Sequence, residues 1–200
     1  MALIEDFFID LDRRWRLAQA GRIPLRIIGS AALMLHTKYE RRTKDSDVVE
    51  TDFITESVRK ALMDIAGQKT EFHTRYGMYL DIVARATPFL PHPPVYRTVA
   101  ALKELKHFSV DALEPVDVVV SKLKRFFAND VSDIEAMVNM GIIDHDRLIE
   151  RLKSAVDAYE LDARAEVHLP RIIANFHAIE RDCFQVPETI IDLPGSMNDR

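Results

Sequence analysis

Three aspartates stand where an acidic side chain is costly or pointedly placed. Asp45 and Asp47 lie two residues apart at the entry to the apolar pair Val48-Val49, and Asp81 interrupts the run Met78-Tyr79-Leu80-Asp81-Ile82-Val83. In a strand, residues i and i+2 project from one face, so the carboxylates of Asp45 and Asp47 would converge. A charge inside a core-like strand is expensive unless it is paired or holds a cation. If the two strands run side by side, all three carboxylates can meet. Such hard oxygen donors on rigid elements suit Mg²⁺, or Mn²⁺, with phosphate oxygens and water completing the shell. Gly29-Ser30 supplies the complement, since it follows the strand-like run Leu25–Ile28 and opens an apolar segment, Ala31–His36, that reads as a helix. Glycine lets a phosphate approach the backbone, a helix N-terminus presents free N–H groups, and the Ser30 hydroxyl adds a donor. A triphosphate seated there, with metal on the carboxylates, would be set for in-line displacement at its α-phosphorus.

Taken singly, each feature has a bland alternative. Gly-Ser is a common turn, Asp-x-Asp is a common surface pair, and Asp81 could pair with Arg75 or Arg85. The basic stretch Arg41-Arg42-Thr43-Lys44 reads by default as a solvated loop. What points to chemistry is their joint order: strand, Gly-Ser, helix, basic loop, Asp-x-Asp strand, strand with an inserted Asp.

The elements that must position these groups follow from periodicity. Phe7, Phe8, Leu11, Trp15 and Ala18 recur at helical spacing over Leu3–Ala20, and Gly21 and Pro24 end that helix. Val48-Val49 and Tyr79–Val83 read as strands, and Glu56–Ala66 as a helix with Val58, Leu62 and Ile65 on one side. Four prolines within Pro88–Pro94 mark a loop. Beyond it Pro115 suits a first helical turn, and helices are expected over Val116–Phe127, Val131–Met140, Asp144–Tyr159 and Ala163–Cys183. Asp144 is the expected N-cap of the third of these, and Gly141 the stop of the second. The expectation is an α+β fold, with a small mixed β-sheet core and flanking helices followed by a helical C-terminal half. Its divisions would be an α/β core over residues 1–95, a helical region over 96–185 completing the cleft, and a tail over 186–200.

Composition narrows the classes. Lys and Arg number 27 against 32 Asp and Glu, a net of −5, which disfavours a bulk nucleic-acid coat. The stretches Lys38–Lys44, Lys103–His107 and Lys122–Arg125 could still form a local basic groove. A lone Cys183 excludes an internal disulfide and a multi-thiolate metal site. The seven histidines fit no zinc-protease spacing, and neither a Walker-type loop nor a G-x-G-x-x-G occurs. No apolar run approaches a membrane span, and the charged N-terminus argues against a signal peptide, so a cytoplasmic location is expected.

At these residues the chain resembles the nucleotidyltransferase superfamily, with its polymerase-beta-like fold. The superfamily's hallmark is Gly-Gly or Gly-Ser, a spacer, Asp-x-Asp, and a later third carboxylate. Here those are Gly29-Ser30, fourteen intervening residues, Asp45-Ser46-Asp47, then Asp81. The string Arg42-Thr43-Lys44-Asp45-Ser46-Asp47 is similar to the Arg-x-Ser/Thr-x-Asp-x-Asp motif of AbiEii-type toxin nucleotidyltransferases and their bacterial relatives. Lys122-Leu123 and Asn129–Asp133 are similar to a downstream Lys-Leu and Lys-Asp-x-x-Asp pair, although Asn129 stands where relatives commonly have Lys, and Phe127 where several have Arg. The resemblance spans Ile27–Val138.

It implies metal binding by Asp45, Asp47 and Asp81, with Asp81 also acting as general base or its orienter. It implies phosphate seating by Gly29 and Ser30, and nucleotide contacts from Arg42, Thr43, Lys122, Asp130 and Asp133. For Lys122 a snorkelling surface lysine is an equal alternative. For Asp130 and Asp133 capping and pairing with Arg125 is the favoured one. The implied activity is Mg²⁺-dependent transfer of a nucleoside monophosphate from an NTP to a hydroxyl of tRNA or protein, in a toxin–antitoxin or phage-defence setting with an antitoxin partner. The alternatives are a catalytically weakened module that binds nucleotide or a partner protein, and a plain interaction protein whose helical half docks a partner.

Overall fold

A computed structural model of the chain describes residues 3–18, 21–37, 39–41 and 43–193. It divides into two compact units. One joins Met1–Thr87 with Tyr96–Glu114, the other Pro88–Val95 with Pro115–Arg200.

The first unit is built on a five-stranded mixed sheet. Its strands are β1 (Ile23–Ile27), β2 (Asp45–Val49), β3 (Tyr79–Val83), β4 (Tyr96–Thr98) and β5 (Phe108–Leu113), in the order β3-β2-β1-β5-β4. β1 runs antiparallel to β2 and parallel to β5, while β2 and β3 are parallel. Around the sheet lie α1 (Leu3–Arg14), α2 (Gly29–His36), α3 (Glu56–Ala66) and α4 (Glu71–Tyr76), with a 3₁₀ turn at Ala100–Leu102. The alternation of β2 and β3 sorts their side chains between core and solvent: Ser46, Val48, Leu80 and Ile82 are buried, while the residues between them face outward. Phe7, Phe8, Leu25, Ile27, Phe72 and Phe108 complete the core, and Phe7 meets Phe8, Phe72 and Tyr76 edge-on at centroid distances of 5.4–5.5 Å.

Two expectations change here. α1 ends at Arg14 rather than Ala20, because the Arg16 guanidinium takes up the carbonyls of Arg13 and Trp15 while Trp15 turns in against Phe108. Residues 19 and 20 lie outside the described residues. The region expected to be helical from residue 96 instead opens with β4 and β5, which complete the sheet of the first unit. β5 pairs with β1 over five residues, from Ile23 opposite Phe108 to Ile27 opposite Ala112.

The second unit is helical: α5 (Pro115–Arg125), α6 (Ala128–Asn139), α7 (His145–Tyr159) and α8 (Ala165–Ile179), then a π-turn at Glu180–Phe184. Asp144 caps α7 as expected, its Oδ1 accepting from the Arg147 N–H at 2.8 Å. Gly141 follows α6 at φ +68°, a conformation glycine reaches without strain. The proline-rich Pro88–Val95 loop is pinned by buried Asp117 of α5. That carboxylate accepts from the Val95 N–H at 2.9 Å and from Arg151 Nε and Nη2 at 2.6 and 2.7 Å. Among the described residues no helix is long and apolar enough to cross a membrane.

Candidate active site

The parallel pairing of β2 with β3 sets Asp45 opposite Tyr79 and Asp47 opposite Asp81. Because Asp45 and Asp47 alternate with buried Ser46 and Val48, and Asp81 lies between buried Leu80 and Ile82, the register places the three carboxylates on one outward face. Neighbouring strands are about 4.8 Å apart, so Asp47 and Asp81 are adjacent carboxylates. Their joint field is felt at Tyr79: burial, then the negative charges of Asp45, Asp81 and Asp47, raise its phenol above the ordinary value. The Tyr79 ring rests against His73 of α4 at a centroid distance of 5.0 Å.

The third strand brings in the glycine. β1 and β2 pair through Ile27 opposite Val48, and the Ile28 N–H donates to the Asp47 carbonyl at 3.0 Å. Gly29, the next residue, has φ +67° and starts α2, and a Cβ placed on it would stand 3.2 Å from Asp47 Oδ2. The bare backbone at Gly29 and the Asp47 carboxylate therefore occupy one small space. Ser30 sits in the first turn of α2, and its hydroxyl accepts from Arg41 Nη1 at 3.3 Å. Thr43 donates from Oγ1 to the Asp45 carboxylate, Oδ1 lying 3.1 Å away.

The sheet unit thus brings together Gly29, Ser30, Thr43, Asp45, Asp47 and Asp81. Arg42 lies outside the described residues. Arg41 was missed as a site residue: it stands two before Thr43 and four before Asp45, so it, and not Arg42, takes the arginine position of Arg-x-Thr-x-Asp-x-Asp, and the expectation of Arg42 there is one residue off. Among the described residues no three His, Cys, Asp or Glu side chains converge to hold a metal ion by themselves. The carboxylates share a face and a register rather than one focal point.

Lys122, Asp130 and Asp133 come together with one another in the helical unit. Lys122 is buried, not snorkelling, and its Nζ meets Asp130 Oδ1 at 3.0 Å and Asp133 Oδ2 at 2.8 Å. Asp130 also accepts from Arg125 Nε and Nη2, both at 2.9 Å, and from the Phe127 N–H at 3.1 Å, which caps the start of α6. Burial works to raise the Asp130 carboxyl, but the hydrogen bonds and charges of Arg125 and Lys122 outweigh it and hold the group at about 2. These are the pairing and capping partners of a salt-bridged helix junction. Phe127 itself is exposed, and the Arg125 guanidinium lies 5.7 Å from its ring centroid.

No curated protein and no solved structure matches the chain. A family described as a nucleotidyltransferase of unknown function (DUF6036) matches residues 8–189. That match takes in β1, the Gly29-Ser30 turn, all three outward carboxylates and the four helices of the second unit. The chain belongs to this nucleotidyltransferase family.

Proposed function

We propose that the protein is a Mg²⁺-dependent enzyme that transfers a nucleoside monophosphate from an NTP to a hydroxyl group of tRNA or protein. The observation that carries this reading is the packing of Asp47 Oδ2 against the bare backbone of Gly29, with Asp81 as the register neighbour of Asp47. The donor set fits Mg²⁺. That ion is ordinarily held by one or two protein carboxylates, with substrate phosphates and water filling an octahedral shell, so three converging side chains are not required. Asp45 and Asp47 would hold the metal, with Asp81 beside them. When bound, the metal neutralises charge on the phosphates and on the departing pyrophosphate.

The chain's own groups have separable tasks. The N–H groups of the first turn of α2, with the Ser30 hydroxyl, seat the phosphates, and Gly29 lets them lie close to the backbone. Arg41, bonded to Ser30, brings positive charge to the same turn. Asp81 takes the proton of the attacking hydroxyl. A bond forms between the acceptor oxygen and the α-phosphorus, the bond from α-phosphorus to the bridging oxygen breaks, and pyrophosphate leaves. The resemblance of the basic loop and Asp45-Ser46-Asp47 to the AbiEii-type motif is what supports placing it in a toxin–antitoxin or phage-defence pair.

The test is transfer of α-labelled NTPs, with Mg²⁺ or Mn²⁺, to total tRNA or lysate protein, beside an Asp45→Ala/Asp47→Ala variant. Label in RNA or protein only with the native carboxylates is the expected result, and it names the acceptor class. No transfer with any NTP, together with undiminished nucleotide binding by the double variant, would overturn the reading in favour of a binding module.

A further inference from the structure

The loop before β2 holds a contact that neither the motif nor the family description assigns. Thr43 Oγ1 lies 3.1 Å from Asp45 Oδ1 and 3.1 Å from the Asp45 carbonyl oxygen. A threonine hydroxyl has one proton to donate. Of the two acceptors the carboxylate bears the charge, and a charged acceptor draws the stronger hydrogen bond. The hydroxyl is also held in place. Thr43 is half-buried and stiff at χ1, and the next residue is tied to the sheet by the Tyr79 N–H, which donates to the Lys44 carbonyl at 3.0 Å. Asp45 Oδ2 makes no hydrogen bond or ion pair among the described residues.

We infer that Thr43 is a positioning residue: its hydroxyl fixes Oδ1 of Asp45 and so leaves Oδ2 presented to a divalent cation. The inference rests on the metal-dependent reading above and departs from the expected contact between Thr43 and nucleotide. Outer groups that orient a ligand set its affinity as well as the rate, commonly by about 10–100-fold. Thr43→Val keeps the shape and removes the donor, while Thr43→Ser keeps the donor and loses the χ1 restraint.

The experiment titrates Mn²⁺ into the full chain holding a non-hydrolysable α,β-methylene NTP analogue, with free Mn²⁺ read by electron paramagnetic resonance. Thermal unfolding is recorded for each variant, and Thr43→Ala stands in should Thr43→Val fold poorly. Expected are an Mn²⁺ Kd raised about tenfold or more in Thr43→Val, recovery of most of that affinity in Thr43→Ser, and loss of binding in Asp45→Ala/Asp47→Ala. Wild-type affinity in Thr43→Val, with binding lost in the double aspartate variant, would overturn the role of Thr43 and leave the metal site standing. Undiminished Mn²⁺ binding in the double variant would overturn the metal-dependent reading and the inference with it.

Discussion

Alanine at Gly29 tests the site geometry most directly, because a second glycine in the same unit provides the control. Gly29 and Gly77 have nearly the same left-handed backbone, at φ +67° and +65°. A Cβ at either position costs about 1–2 kcal/mol of backbone strain. The surroundings differ. Nothing lies within 4 Å of a Cβ at Gly77, whereas one at Gly29 stands 3.2 Å from Asp47 Oδ2. To relieve that contact, the Asp47 carboxylate must shift by a few tenths of an ångström or leave its rotamer, at a cost of about 0.5–1.5 kcal/mol. A displacement of about 1 Å in a catalytic group can cost a hundredfold in rate, so a smaller one predicts about a tenfold loss. Urea unfolding followed by circular dichroism should therefore show both variants destabilised, Gly29→Ala by about 0.5–1.5 kcal/mol more than Gly77→Ala. Labelled-NTP transfer at matched folded fraction should separate them, with Gly77→Ala near wild type and Gly29→Ala about tenfold slower. Equal transfer by the two variants would refute the claim that Gly29 and Asp47 share the working space.

Further predictions concern the helical unit. Lys122→Met removes the buried cation shared by Asp130 and Asp133 and should cost about 3–5 kcal/mol in urea unfolding, with much of it restored by adding Asp130→Asn and Asp133→Asn. Asp130 titrates at about 2 in the folded chain against 3.8 as its ordinary value. A carboxyl lowered on folding contributes stability that is fully present above the ordinary value and is lost as pH falls through the folded one. Denaturant midpoints should thus fall between about pH 4 and pH 2, and fall less steeply there in Asp130→Asn. Asp117→Ala removes the buried partner of Arg151 and of the Val95 N–H, so it should cost about 3–5 kcal/mol and make Pro88–Val95 sensitive to limited proteolysis.

The sheet edge with the carboxylates was legible because strand chemistry is local. An Asp-x-Asp pair in a strand shares a face whatever the fold, and an aspartate amid Leu80, Ile82 and Val83 signals a strand with one open side. Helix ends with a side-chain cap were legible for the same reason, as Asp144 shows. β5 was not. Its alternation over Phe108–Leu113 is a period-two signal, but the partner that makes it a strand is β1, far back in the chain. Lys122 was ambiguous because a lysine on an apolar helix stripe reads alike whether it reaches water or two buried aspartates. Only the packing of α5 against α6 supplies the aspartates.

By itself the sequence determined which groups exist and how each presents locally: three carboxylates on strands, a glycine at a strand-to-helix turn, a basic loop ahead of Asp45, and a row of amphipathic helices. Adjacency was decided by tertiary structure alone. The register that sets Asp81 beside Asp47, and the β1–β2 pairing that brings Gly29 against Asp47 Oδ2, are made by hydrogen bonds between distant segments. A shift of one residue in either pairing would leave every local preference intact and turn the facing side chains to the other side of the sheet.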